Sequence, residues 1–288
     1  MKVDYIVPMV FPDDERWQRN FLKVNRHYHK GHVRYRSWGT ERLLIQLVKK
    51  NMPWLNDIII ILAQESQRQR WMDEEGVRIV YHREFIPDRF LPTFNSRAME
   101  MFLKDIPNIS EQFLYGNDDM FPISPLREKD FFVGDRPCLH MTEKPFPQSP
   151  NNFQQACLCG LNFVGKEFGR HFSDIWYKDG HSIAPILKST CEHLWERGRK
   201  EIEASISPFR EVFNFNQYIY SWWQFLACKY VDWMPEKVYT SVRKSVAEVA
   251  HDIEEAHGIV CVNDNECAED IRKYASACVD ALKKKLDT

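Results

Sequence analysis

The chain has 288 residues, 44% of them hydrophobic, with 39 basic and 41 acidic side chains and a formal net charge of −2. That apolar content and near-balance of charge exclude a disordered chain. A pI near 6.6 excludes binding of nucleic acid by bulk charge, while a local basic groove stays open. The most apolar stretch, Ile58 to Ala63, is too short to span a bilayer.

The first residues, Met-Lys-Val-Asp-Tyr-Ile-Val-Pro, lack an apolar core of signal-peptide length, which predicts a cytoplasmic location. Val3 to Val10 reads as a buried first strand ended by Pro12. Asp13, Asp14 and Glu15 then suit the positive end of a helix dipole. Thr40 is placed to cap a second helix, in which Leu43, Leu44, Leu47 and Val48 recur at helical spacing. Asp57 to Ala63 is β-branched and continuous, as expected of a parallel strand covered on both faces. Val77 to Tyr81 and Gln112 to Tyr115 repeat the theme, with helical segments at Ser66 to Glu74 and Asn95 to Asp105 between them. Strands alternating with helices imply right-handed crossovers, so residues 1–135 read as a Rossmann-like α/β unit with a mostly parallel sheet and helices on both faces.

Beyond Gly134 the pattern changes. Lys144 to Pro150 holds three prolines in seven residues and reads as a loop and a boundary. Helical periodicity follows at Pro185 to Arg197, Val212 to Lys229, Val242 to Glu255 and Glu266 to Lys285. Residues 136–288 are therefore expected to be mainly helical and to complete the same domain, with one late strand, Ile259 to Val262, added to the first sheet. Tyr218, Tyr220, Trp222, Trp223 and Phe225 read as core packing rather than a ligand platform. Eight cysteines in this length are not a dense disulfide framework, so they read as reduced, mostly buried thiols. A zinc site can be drawn from His140, Cys157, Cys159 and His171, but their spacing does not ask for one.

Ligands of open α/β sheets bind beyond the carboxyl ends of the strands. Four such places carry polar residues: Asp13-Asp14, His82-Arg-Glu84, Asn117-Asp118-Asp119 and Asn263-Asp264-Asn265. The third is the most informative, because magnesium favours one or two carboxylates together with phosphate oxygens. An ordinary solvated turn is the competing reading of an acid pair taken alone.

The spelling around that acid pair adds to this. Leu91-Pro-Thr-Phe-Asn-Ser-Arg-Ala-Met-Glu100 and Phe113-Leu-Tyr-Gly-Asn-Asp-Asp-Met-Phe121, preceded by Arg34-Tyr-Arg36, Arg42, Pro53-Trp54 and His82, resemble the second conserved region of the Stealth family. Ile6-Val-Pro8, Asp14 and Trp17 are similar to the first region. His181-Ser-Ile, Leu194-Trp195-Glu196 and Phe209-Arg210 are similar to the third, and Val260-Cys-Val-Asn-Asp264 to the fourth. The chain departs from the pattern at Phe11 and Pro12, where an acid and a glycine are usual, at Ser37, where an acid often follows the arginine, and at Asn214, where an Asp is common. Loss of these acids would bear on the donor, the metal or activity itself.

The resemblance implies a GT-A-like nucleotide-sugar enzyme that passes a sugar together with its proximal phosphate from a nucleotide-sugar, usually a UDP-hexose or UDP-N-acetylhexosamine, to a glycan hydroxyl in capsular or other cell-surface polysaccharide synthesis. UMP leaves and a phosphodiester forms. Residues 1–135 would then be the nucleotide-sugar-binding part. Asp118, Asp119 and Asp264 are expected to hold Mg²⁺ (or Mn²⁺). His181 is expected to be the base, with Asp119 and Arg210 as its catalytic companions. Arg36, Arg42, Asn95, Asn117, Asn214 and Asn263 are expected to bind substrate, the arginines through phosphate oxygens. Asn95 reads equally well as a helix cap, Asp264 as a turn brace, and Arg210 as the partner of a nearby Glu. An ordinary metal-dependent glycosyltransferase releasing UDP, and an inactive saccharide-binding homologue, are the alternatives. Peripheral membrane contact stays open, although no basic amphipathic helix stands out.

Overall fold

The apolar strands of the first half are apolar throughout because the sheet they form is covered on both faces. The computed structural model describes residues 2–25, 33–178, 180–264 and 271–288. The first half runs β1 (Val3–Pro8), α1 (Glu15–Val24), α2 (Glu41–Asn51), β2 (Asp57–Leu62), α3 (Arg70–Glu74), β3 (Arg78–Tyr81), α4 (Ser96–Glu100) and β4 (Gln112–Tyr115). Then come β5 (Met120–Pro122), β6 (Phe132–Val133), β7 (Arg136–Leu139), β8 (Thr142–Pro145), α5 (Asn152–Gly165), β9 (Ile175–Lys178), β10 (Ala184–Leu187), α6 (Lys188–Ala204), α7 (Tyr218–Leu226), β11 (Val231–Asp232), β12 (Lys237–Ser241), α8 (Val246–Glu255), β13 (Ile259–Asn263) and α9 (Ile271–Asp287).

The main sheet has the order β10-β4-β1-β2-β3. Its last four strands are parallel, and β10 closes one edge antiparallel to β4. Alternate side chains feed two separate cores. Tyr5, Val7, Ile60, Leu62 and Leu114 pack with Leu44, Leu47, Ile253 and Leu282 of α2, α8 and α9. Ile6, Ile59, Ile61, Phe113, Tyr115 and Ile186 pack with Leu161, Leu194, Ile219 and Trp222 of α5, α6 and α7. The expected Rossmann-like architecture with helices on both faces is present, and no helix among the described residues is long and apolar enough to cross a membrane.

The second half departs from expectation in several places. Helices dominate it as expected, but in place of one late strand it holds the short strands β7 to β13. β13 does not join the main sheet; it pairs with β12 and β5 in a separate three-stranded sheet. The added strand is β10, which the sequence assigns to a helix. Pro185 sits there on the outermost strand, where a missing N–H is tolerated. The expected loop at 144–150 begins inside β8, which pairs with β9. The helix expected from Val212 forms only from Tyr218, and the one expected from Val242 only from Val246. Residues 266–270 of the last expected helix lie outside the described residues, as does Asn265. Thr40 stands before α2 with helical backbone angles and makes no side-chain cap. Asp14, by contrast, caps α1 by accepting from the Arg16 N–H at 2.9 Å.

Candidate active site

The parallel strands end at a cleft of about 300 Å³. Met9 and Val10 follow β1 there, Ala63 follows β2, His82 follows β3, and Asn117, Asp118 and Asp119 follow β4. Trp17, Tyr35 and Phe94 form an apolar wall, packed edge to face at centroid distances of 5.3 and 5.5 Å from Trp17. A neighbouring basin of about 660 Å³ lies beside it. Arg34, Asp118, Asp119, Arg210 and Asn263 line both, so the acid pair stands at their junction.

Local sequence explains how the acids reach that position. β4 ends at Gly116, whose N–H donates to the Ile6 carbonyl at 2.9 Å. A Cβ at Gly116 would run into the Tyr5 hydroxyl, so glycine alone lets the chain turn this close to β1. The turn is then pinned from the second sheet, where the Val262 N–H donates to the Asp119 carbonyl at 2.9 Å.

Electrostatics single out the pair. Desolvation in the cleft pushes the Asp118 carboxyl up to about 7, assisted by the charges of Asp119 and Glu41, while part of the side chain keeps contact with solvent. Burial also raises Asp119, while His181, the Cys261 thiol and Arg210 pull it down. Asp119 Oδ1 is buried without a hydrogen-bond partner. Burial and the two aspartates together push the Tyr5 hydroxyl far up. All of these shifts describe a pocket of negative charge short of compensating cation.

His181 faces the pair from the loop before β10. Its backbone is left-handed, with φ of 47°, uncommon for a residue with a side chain. Its Nδ1 lies 3.0 Å from the Tyr218 hydroxyl. One potential ligand atom from each of Asp119, His181 and Cys261 lies within 4.8 Å of the others. Arg210 is exposed at the rim and donates to Ser96 Oγ at 2.7 Å. The junction thus joins two adjacent carboxylates, a histidine held by a tyrosine, and arginines: the groups needed to bind a phosphate and move a proton beside it.

The structure brings His181, Asp118, Asp119, Arg210, Asn117, Asn95 and Asn263 to the cleft. The remaining expected site residues are occupied elsewhere. Asp264 lines the neighbouring basin, but its carboxylate takes a bidentate pair from Arg36 and the Trp38 indole N–H at 3.0 Å. The expected metal ligand and the expected phosphate binder therefore hold each other. Arg42 lies outside both basins, paired with Glu74 at 3.2 Å and Glu75 at 3.0 Å. Asn95 caps α4, accepting from the Arg97 N–H at 3.1 Å, and its amide donates to Ser207, Phe209 and Asn214. Asn214 lines neither basin and is 1% exposed, with both amide atoms bonded. Phe11, Pro12 and Ser37 do not line the basins either, so every departure from the family pattern falls off their walls.

Several lining residues escape the sequence reading. Arg97 is buried beneath Arg210 and donates to the Glu211 carbonyl at 3.0 Å; burial, then Arg210, lowers it. Glu100 is buried, raised by that burial, and accepts from the Gln217 N–H at 2.7 Å and the Tyr115 hydroxyl at 3.2 Å. His82, which the sequence does mark at a strand end, is pushed down to about 4 by burial and so is neutral. Packing, the role expected for Tyr218, holds for its buried neighbours Tyr220, Trp222 and Trp223, and nothing in the local spelling points the Tyr218 hydroxyl at His181. Arg34, Arg97 and Glu100 all lie inside the quoted motif strings, and their spacing was the signal available.

Residues 34–138 match the family model described as Stealth protein CR2, conserved region 2. The chain is 26% identical over 311 residues to the capsular polysaccharide phosphotransferase LcbA of Neisseria meningitidis, covering 98% of this chain and 82% of the relative. It is 27% identical over 269 residues to the receptor polysaccharide phosphotransferase WefC of Streptococcus oralis, covering 80% of each. It is 23% identical over 325 residues to the capsular polysaccharide phosphotransferase WcwK of Streptococcus pneumoniae, covering 99% of this chain and 96% of the relative. An α/β enzyme with this set of relatives is a transferase of phosphate-containing groups. Residues 34–138 carry the second conserved region of the Stealth family.

Proposed function

We propose that the protein transfers a sugar-1-phosphate from a nucleotide-sugar, a UDP-hexose or UDP-N-acetylhexosamine, to a hydroxyl of a growing capsular or cell-surface glycan, releasing UMP. The observation that carries this reading is the junction itself, where two adjacent aspartates, one with a buried oxygen that has no partner, stand between arginines and a histidine. A divalent cation shared between these aspartates and the donor's diphosphate would supply the positive charge that both lack.

The donor set fits Mg²⁺ or Mn²⁺: Asp118 and Asp119 offer carboxylate oxygens, and Asp119 Oδ1 has no other partner. Bound there, the ion would neutralise charge on the diphosphate. Arg210 and Arg34, on the walls of both basins, are placed to take phosphate oxygens. The acceptor hydroxyl passes its proton to His181 Nε2 as its oxygen bonds to the sugar-linked phosphorus, and the bond from that phosphorus to the bridging oxygen of UMP breaks. Tyr218 at Nδ1 holds the imidazole ring in place for this proton transfer. The two basins meeting at Asp118 and Asp119 leave one side for donor and the other for acceptor.

The test is to incubate the protein with Mg²⁺, a panel of UDP-sugars and glycan acceptors, and to identify the nucleotide released. UMP is expected. UDP would assign cleavage at the sugar carbon and make the protein an ordinary glycosyltransferase. Binding of a UDP-sugar with neither product would make it a saccharide-binding homologue.

A further inference from the structure

The thiol beside the acid pair has no role in phosphate transfer. Cys261 belongs to β13, is 3% exposed, and stands opposite Met120 in the antiparallel pairing with β5. That register delivers its Sγ to 3.6 Å from Asp119 Oδ2, on the side of the carboxylate away from the unpartnered Oδ1. His181 completes a group whose ligand atoms lie within 4.8 Å of one another, the one such cluster among the described residues.

A magnesium ion gains nothing from sulfur, because it selects oxygen ligands. Zinc behaves differently. Its bonds of about 2.0 Å to oxygen and about 2.3 Å to sulfur, at tetrahedral angles, place the two ligand atoms about 3.5 Å apart. The Asp119–Cys261 separation of 3.6 Å matches that edge. With Nδ1 turned to the Tyr218 hydroxyl, ligation falls to Nε2, and Tyr218 becomes the outer partner that orients a metal-bound imidazole. Three protein ligands with the fourth position facing a cleft is the arrangement of open zinc sites.

We propose that Asp119, His181 and Cys261 form a site for a thiophilic divalent cation of the Zn²⁺ class, nested within the oxygen-ligand site, and that its occupation arrests transfer. On binding, the Cys261 thiol loses its proton to solvent and the sulfur and imidazole lone pairs become metal bonds. His181 then has no lone pair with which to accept the proton of an acceptor hydroxyl. The arrest rests on the function proposed above; the binding does not.

Binding is tested on the full chain without turnover. Cd²⁺ is titrated as a spectroscopic substitute for Zn²⁺, reading the ultraviolet sulfur-to-cadmium charge-transfer band, with Zn²⁺ affinity measured by calorimetry. The exposed thiols Cys159 and Cys228 are first replaced by serine, so that the native Cys261 is read against less background and folding does not depend on its substitution. One equivalent of Cd²⁺ should develop the band. Cys261→Ser, or Cys261→Ala should the serine variant misfold, should abolish it. The same variant should weaken Zn²⁺ by at least the roughly 10–100-fold that loss of an outer-shell partner costs. A band that persists without Cys261, or absence of Zn²⁺ binding, overturns the site. Zn²⁺ that binds through Cys261 yet leaves UMP release at its Mg²⁺-supported rate overturns the arrest. Cys261-dependent binding in a protein that releases no UMP from any donor overturns the proposed function and leaves the site standing.

Discussion

Two polar clusters border the cleft, one around Asn214 and one around Asp119, and they differ in how completely they are satisfied. Around Asn214 every amide atom is used: Oδ1 accepts from Asn95 at 2.9 Å and from the Glu211 N–H at 2.6 Å, while Nδ2 donates to the Ser205 carbonyl at 2.6 Å and Ser207 Oγ at 2.8 Å. Around Asp119 one carboxylate oxygen has no partner, and its neighbour Asp118 is driven up to about 7. Both clusters contain residues that the family resemblance marks. A saturated network has nothing left for a ligand and acts as a brace, whereas an unsatisfied one carries a folding cost that a bound ligand can relieve. The comparison separates Asn95 and Asn214, whose amide atoms are spent on neighbours, from Asp119, whose Oδ1 has no partner; the proposed chemistry rests on the second group.

The largest expected effect tests the chemical side. Asp119→Asn should lower UMP release by about 10³-fold or more, the scale on which loss of preorganised charge stabilisation acts, with thermal stability kept or raised because a like charge beside Asp118 is gone. Retained turnover in that variant would move the site elsewhere. Next comes the pH dependence of stability. Asp118 binds its proton more tightly folded than unfolded, so the unfolded state carries fewer protons between the ordinary carboxylate range and about 7. Stability of the cation-free protein should therefore fall as pH rises through that window, with a shallow slope because Asp118 keeps contact with solvent that screens its charge. Denaturant midpoints measured across it check the slope, and millimolar Mg²⁺ should flatten it.

Asn214→Ala probes the brace. Removing the amide strands several buried groups, each worth about 1–3 kcal/mol, so chemical denaturation should show a loss of that order while turnover per folded molecule changes little. A fall in turnover with stability intact would put Asn214 in the site after all. The smallest effect is expected at Arg42, whose half-exposed pairs with Glu74 and Glu75 belong to the range of about 0–1 kcal/mol. Arg42→Ala should leave UMP release unchanged, and a large drop would return it to the phosphate site.

Much of the first half is legible in the sequence because its signals are local. Ile58 to Leu62 is apolar without alternation, and only a strand buried on both faces has that pattern; the acids after Tyr115 fall at a strand end wherever that strand sits. The second half is harder because its strands are short and their partners distant. Nothing in Ile259-Val-Cys-Val262 says that β13 pairs with β5 and β12 instead of the main sheet, and Pro185 hides β10. The same limit separates Asp264 from Asp119. Both are aspartates just past a strand, but Arg36 reaches Asp264 across 228 residues of chain and satisfies it, while no such partner reaches Asp119 Oδ1.

The sequence by itself determined the Rossmann-like first half, the acid pair at the end of its fourth strand, the family resemblance, and the candidacy of His181 and Arg210, because each depends on residue type and spacing along a short stretch of chain. Tertiary structure alone decided which candidates have polar atoms left to spend. It turned Asn95, Asn214 and Arg36 with Asp264 into braces, removed Arg42 from the cleft, and set Tyr218 against His181 and Cys261 against Asp119. Whether a side chain acts or merely supports depends on the partners that folding brings within about 3 Å of it, and those partners come from anywhere in the chain.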